Sequence, residues 1–147
     1  MKKLSIMIAA LAITSVSVWA GALTLMIGNP SANPEAQAQN AAIVARITAC
    51  HSPEKTAVTA TAEGIVAGVH KTIPLKVIAL PTAGTFAVKR DWPDQGSWAV
   101  KLVATNPDYK DYSTGIVVPV EEGSVQFAAS KQYYHAPTNS EVLLALK

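Results

Sequence analysis

Apolar and polar residues alternate along most of the chain beyond residue 40, a pattern typical of half-buried β-strands. The clearest run is 98–103, in which Trp98, Val100 and Leu102 share one face. Comparable runs occupy 43–49, 56–63, 69–80, 86–89, 116–120 and 125–127. Turn-forming residues separate these runs at intervals of about 8–12 residues. The pattern therefore predicts about seven strands.

These strands indicate an all-β domain, an immunoglobulin-like antiparallel β-sandwich, which we expect to cover residues 39–137. No stripe of helical period lies between the strands, which disfavours an alternating βαβ fold. Pro74 cannot donate to a strand ladder, so it predicts an edge strand or a bulge. Thr138 and Glu141 can form a capping box ahead of an apolar run, so we expect a short helix in the tail 138–147.

The N-terminus has a different pattern, in which a basic start precedes a long uncharged stretch. Two lysines are followed by an apolar run over 4–28 that contains no charged residue. This is typical of a secretory signal, and the run is also long enough for a membrane-spanning anchor, which needs about 20 residues. Pro30 and Pro34 would end such a helix. We therefore expect residues 1–38 to be a signal peptide or membrane anchor with its linker.

Two small-x-small triplets are candidate cleavage sites. The Ala-Gln-Ala triplet at 36–38 would leave Gln39 as the new N-terminus, and the Ala-Gly-Ala triplet at 20–22 is the second candidate. The sequence favours cleavage after the first of these over an uncleaved anchor. In either case the two lysines stay inside and the domain faces outward. We expect an extracytoplasmic protein, periplasmic or secreted, held in the inner membrane by residues 4–28 if that segment remains.

Composition narrows the range of functions. Without Lys2, Lys3 and Glu35, the totals of 12 Lys+Arg and 10 Asp+Glu become ten and nine. A nucleic-acid role therefore has no electrostatic support. Cys50 is the only cysteine of the chain, which excludes an internal disulfide framework. Nucleophile elbows, phosphate loops and common metal motifs are absent from the sequence, so we predict a non-enzymatic protein without a cofactor.

One segment carries a resemblance to a known group. Gly84-Thr85-Phe86 is followed by Trp92-Pro93 and then by Gly96-Ser97-Trp98, which opens the next predicted strand. This arrangement resembles the YtkA-like and FixH-like immunoglobulin-like modules of exported bacterial proteins. The resemblance implies an extracytoplasmic sandwich, often membrane-tethered, with roles beside metal transport or respiratory-complex assembly. Copper-binding relatives would use Met and His ligands, whereas the chain beyond residue 38 has no methionine.

Cys50 and His51 form the most suggestive pair for metal or thiol chemistry. Thiolate and imidazole are both good ligands for soft metals. Neighbouring residues on a strand point to opposite faces, so the pair would need His70 or His135 nearby to complete a site. This gives the alternative hypothesis of a periplasmic metal- or thiol-active module. The other interpretation is an unreactive strand end.

Aromatic residues supply the other candidate site, a binding surface on the connections between strands. Its predicted members are Trp92, Tyr109, Tyr112, Tyr133 and Tyr134. Tyr and Trp make good recognition surfaces, although they can also cap the ends of a sandwich. We expect an exported binding or accessory module of the cell envelope that acts on an envelope protein partner. Contact with a membrane is expected only through an uncleaved N-terminal segment.

Overall fold

The chain folds as two packed antiparallel β-sheets in the computed structural model, which describes residues 23–49, 51–110 and 112–146. The predicted export segment up to residue 22 and Cys50 lie outside these residues. Ten strands form within the described part of the chain. The all-β sandwich predicted from the alternating pattern is therefore confirmed at the level of its architecture.

The smaller sheet has four strands in the order β1-β2-β6-β5. Their bounds are β1 Thr24–Gly28, β2 Ala41–Thr48, β5 Val77–Ala79 and β6 Thr85–Lys89. In β2 the alternation is regular, because Ile43, Ala45 and Ile47 are buried in the core while Arg46 is exposed. The period-two pattern of this segment thus corresponds to one face on the core and one face outward.

The larger sheet has six strands, with the order β10-β8-β7-β3-β4 and β9 paired to β8. Their bounds are β3 Ala57–Val66, β4 Val69–Pro74, β7 Ser97–Thr105, β8 Ser113–Glu121, β9 Ser124–Val125 and β10 Lys131–Tyr133. Pro74 ends the edge strand β4, as the sequence predicted. The run 69–80 is not one strand, because the chain passes from β4 in this sheet to β5 in the other.

Trp98 is the largest side chain that is fully buried in the core between the sheets. Its indole lies directly against Gly64 of β3, and a Cβ on that glycine would fall 2.4 Å from the ring. The indole N–H donates to the carbonyl of Gln95 at 2.7 Å, so the only polar atom of the ring is satisfied. Position 64 therefore has to be a glycine, because any larger residue would overlap the Trp98 ring.

The N-terminal boundary of the domain differs from the predicted one. Residues 24–28 form β1, which pairs with β2 along its whole length, from Thr24 with Thr48 to Gly28 with Val44. The predicted linker contains the short helix α1, Pro34–Ala38, whose Ala36 is buried. The prediction of a helix through residue 28 is therefore wrong for 24–28. The absence of charged residues continues through residue 28, although the last part of the run is a strand whose side chains alternate between the core and the surface.

The C-terminal tail forms a second helix, α2, over Asn139–Leu144. Thr138 and Glu141 form the predicted capping box, in which each side chain binds the other residue's backbone N–H. Val142 packs on Ala99 and Val117 and thereby covers part of the outer face of the larger sheet. Among the described residues, no helix has the length and apolar character needed to cross a membrane.

Candidate functional site

Three connections of the sandwich lie at one of its ends, those after β2, β7 and β10. In the smaller sheet Thr24 pairs with Thr48, so β1 begins where β2 ends. In the larger sheet Ala57, Thr105 and Ser113 are register neighbours, so β3 and β8 begin where β7 ends. Tyr134 directly follows β10, which is antiparallel to β8. We call this the tyrosine end, and define it by residues 51–56, 106–110, Tyr112 and Tyr134.

Asn106 is the residue that joins the two main connections of the tyrosine end. Its side-chain amide donates to the carbonyl of Ser52 at 2.9 Å and to the hydroxyl of Thr56 at 3.0 Å. Its side-chain oxygen accepts from the backbone N–H of Asp108 at 2.9 Å, which closes the turn after β7. Because Asn106 is buried, these bonds hold the 51–56 and 106–110 segments in one arrangement.

An ion pair adds a second link between the same two segments. The Lys55 ammonium lies 3.1 Å from the Asp108 carboxylate. Hydrogen bonds from Ser52 and Lys55 hold the pKa of the Asp108 carboxyl below its usual value, and the charge of His51 acts in the same direction. Both partners of the pair are substantially exposed, so it contributes orientation more than stability.

Tyr109 brings His51 into this arrangement. Its phenolic oxygen accepts from the backbone N–H of His51 at 3.1 Å. The backbone N–H of Tyr112 in turn donates to the carbonyl of Tyr109 at 2.9 Å, and the Tyr112 side chain is 37% exposed. A shallow open groove of about 770 Å³ runs beside these residues. Its lining consists of Thr105, Asn106, Pro107, Tyr109, Lys110, Tyr112 and Ser113.

The structure separates the predicted aromatic surface into three parts. Tyr109, Tyr112 and Tyr134 lie at the tyrosine end, and Tyr134 is 73% exposed. Tyr133 is half-buried and packs in the cluster under α2. Trp92 is 3% exposed in the core, and its indole N–H donates to the Gly123 carbonyl at 3.3 Å at the opposite end. The prediction of Trp92 as a surface residue is thus wrong, because the turn that carries it places the indole in the core.

Of the three histidines of the metal hypothesis, His70 lies far from His51, and His135 is paired with a carboxylate. His51 is at the tyrosine end, whereas His70 pairs with Ile65 near the far end of β3, roughly 26 Å along the strand from Ala57 at about 3.3 Å per residue. His135 lies 3.1 Å from Glu141. Within the described ranges, no three His, Cys, Asp or Glu side chains gather as a metal site would require. Cys50 lies outside those ranges, so the thiol hypothesis stays a prediction.

A buried carboxylate that the sequence did not single out lies on the outer face of the larger sheet. Glu63 accepts from the Thr72 hydroxyl at 2.6 Å and from the Thr61 hydroxyl at 3.0 Å. His70 and Lys101 lie 3.1 Å and 3.6 Å from its oxygens. Burial opposes ionisation, but these partners outweigh it and lower the pKa of Glu63 below its usual value.

The surroundings of Glu63 indicate a structural role for this carboxylate. Both of its oxygens are engaged by neighbouring strands, through Thr72 and His70 of β4 and Lys101 of β7. The alternating pattern of 56–63 marks Glu63 only as a polar position, and the register that supplies its partners is a long-range property. The group therefore links three strands and is not a free acid.

The chain matches no family model, no curated protein and no solved structure. The resemblance of the 84–100 segment to YtkA-like and FixH-like modules therefore stays a prediction. At the tyrosine end, side-chain hydrogen bonds and an ion pair join two connections into one surface.

Proposed function

We propose that this protein is an exported, non-enzymatic binding or accessory module of the cell envelope, which presents its tyrosine end to an envelope protein. The observation that carries the proposal is the bonding of two connections into one surface by Asn106, Tyr109 and the Lys55–Asp108 pair. A surface that is already ordered loses little conformational entropy on binding, and this favours recognition.

The residues left outward at this end suit a protein partner. Tyr112 and Tyr134 offer apolar rings with a polar edge, the chemistry that anchors many protein interfaces. Lys110 lines the groove beside Tyr112 and adds a positive charge at its rim. The partner is therefore expected to offer apolar contacts and a carboxylate for Lys110.

The same geometry supports a binding role over catalysis. The titratable side chains of Lys55 and Asp108 are paired with each other, and the buried amide of Asn106 is engaged by the backbone and Thr56. A catalytic base needs a nucleophile or substrate proton within hydrogen-bond reach. In the described part of the tyrosine end, these polar groups are instead occupied in holding the surface together.

The immunoglobulin-like subtype is part of the proposal. Two consecutive strands, β3 and β4, lie in the larger sheet, the next two lie in the smaller sheet, and β7 and β8 return to the larger one. Such passage between two antiparallel sheets is typical of Greek-key sandwiches, to which immunoglobulin-like domains belong. This supports a domain that displays connections at its ends for binding, as those modules do.

A photo-crosslinking experiment in the native host tests the proposal. The full chain would carry a photo-crosslinking amino acid in place of Tyr112, and a matched variant would carry it in place of Val69, which is 58% exposed on the β3–β4 hairpin at the opposite end. We expect a discrete adduct with an envelope protein from position 112 alone. Adducts from position 69 only, or from neither position, would contradict the proposed surface.

A further inference from the structure

β1 is an integral part of the sandwich core. Leu23, which directly precedes it, and Leu25 within it are both fully buried in the main hydrophobic cluster. The strand pairs with β2 in five register positions, and the carbonyl of Leu25 accepts from the Gln132 side chain of the other sheet at 3.4 Å. Without β1, the core would lose two leucines and β2 would become an exposed edge.

The segment between β1 and β2 is folded as well. Ala36 of α1 is fully buried against Leu80 and Ala87 of the smaller sheet. The Asn33 side chain caps the helix by accepting from the N–H of Ala36 at 2.9 Å, and the Gln39 N–H donates to the carbonyl of Ala36 at 3.1 Å. The bond after Ala38, which the sequence favoured for cleavage, therefore lies at the end of a packed helix.

Cleavage at that bond conflicts with this structure. It would leave a chain that starts at Gln39, without β1 and without the helix that covers Ala87. Cleavage after Ala22 leaves Leu23, β1 and the rest of the sandwich intact.

We infer that the export machinery cleaves the chain at the Ala22–Leu23 peptide bond, so that the mature protein keeps β1 and α1. Water hydrolyses this bond, which leaves a carboxylate on Ala22 and a free amine on Leu23. Ala20 and Ala22 supply the small residues that the peptidase requires on the leader side. The inference rests on the proposed export, and it replaces Gln39 with Leu23 as the expected N-terminus.

Intact mass and N-terminal sequencing test the inference directly. The full chain would be expressed in a bacterium with a general secretory pathway and isolated from its extracytoplasmic fraction. We expect a soluble protein that begins at Leu23. A secreted protein that begins at Gln39, or an exported protein that keeps residues 1–22 in the membrane, would overturn the cleavage site while leaving export intact.

Two matched variants sharpen the test. Ala22→Phe places a large residue on the leader side of the proposed bond, whereas Ala38→Phe does the same at the other candidate, where Ala38 is exposed. We expect Ala22→Phe to cause at least a tenfold loss of the form that begins at Leu23, and Ala38→Phe to leave it unchanged. The reverse result would overturn the inference. A full-length chain confined to the cytoplasm would overturn it together with export itself.

Discussion

At the scale of single residues, Glu63 shows how a buried charge is accommodated in this fold. Its carboxylate is almost fully enclosed, yet it has hydroxyl partners on two strands and lies beside the imidazole of His70 and the ammonium of Lys101. A buried carboxylate without such partners would be protonated, because desolvation penalises the charged form. Here the partners keep it ionised, so the stability of the domain is linked to pH.

Replacement of Glu63 by Gln should destabilise the domain and flatten its acid response. The pKa of Glu63 is lower in the folded state than its ordinary value of 4.5, so its contribution is complete above that value and is lost as the pH falls through the folded pKa. We expect Glu63→Gln to lose about 1–3 kcal/mol of unfolding free energy at pH 7. Urea unfolding at pH 7 and at lower pH measures both effects.

Glu121→Gln is the matched control for that experiment. Glu121 ends β8 and is exposed to solvent, so the same change of charge should alter the unfolding free energy by less than about 0.5 kcal/mol at either pH. If both variants keep the wild-type acid response, Glu63 is not the source of the pH dependence.

At the scale of elements, β1 is where pattern and structure differ most. The segment Thr24–Gly28 continues an uncharged run, and an apolar run does not by itself distinguish a helix from a buried strand. Pairing with β2 decides for the strand, because the backbone of Thr24–Gly28 finds its partners on the edge of β2 that faces away from β6. By contrast, β7 was predicted correctly because its large side chains alternate without interruption.

Two neighbouring positions of β1 test its place in the core. Leu25 is fully buried, while Met26 points outward and is 46% exposed. We expect Leu25→Ala to cost about 2–5 kcal/mol of unfolding free energy, because it removes core contacts and leaves a cavity. Met26→Ala is the control and should cost less than about 1 kcal/mol. Equal losses in denaturant unfolding would contradict the assignment of β1 to the core.

At the scale of the whole molecule, stability should be unevenly distributed between the two sheets. β7 is central in the larger sheet and pairs with β3 and β8 along its length, whereas β5 has three residues and lies at the edge of the smaller sheet. Local opening costs least where few contacts and hydrogen bonds have to break. The core around β7 is therefore expected to open last.

Native-state hydrogen exchange measures this distribution. We expect amides in Ser97–Thr105 to exchange slowest, close to the rate set by global unfolding, and those in Val77–Ala79 to exchange at least tenfold faster. Equal protection of the two strands would mean that the sandwich opens as a single unit.

The candidate surface was predictable only in its parts. Tyr109 and Tyr112 were visible as aromatic residues on a connection, and His51 as a candidate metal ligand beside Cys50. Their assembly was not visible, because Tyr109 and His51 are 58 positions apart and meet through the packing of two sheets. Trp92 was misassigned for the same reason, since its burial depends on the hairpin that carries Gly123.

The sequence by itself determined that the chain is all-β, where its long strands lie and how its last helix begins. These features depend on neighbouring residues, through the period-two alternation and the capping box of Thr138 and Glu141. Only the tertiary structure decided that Thr24–Gly28 is a strand, that Glu63 is enclosed and that the tyrosine end is assembled. Each of these depends on contacts between distant segments, which a local pattern does not encode.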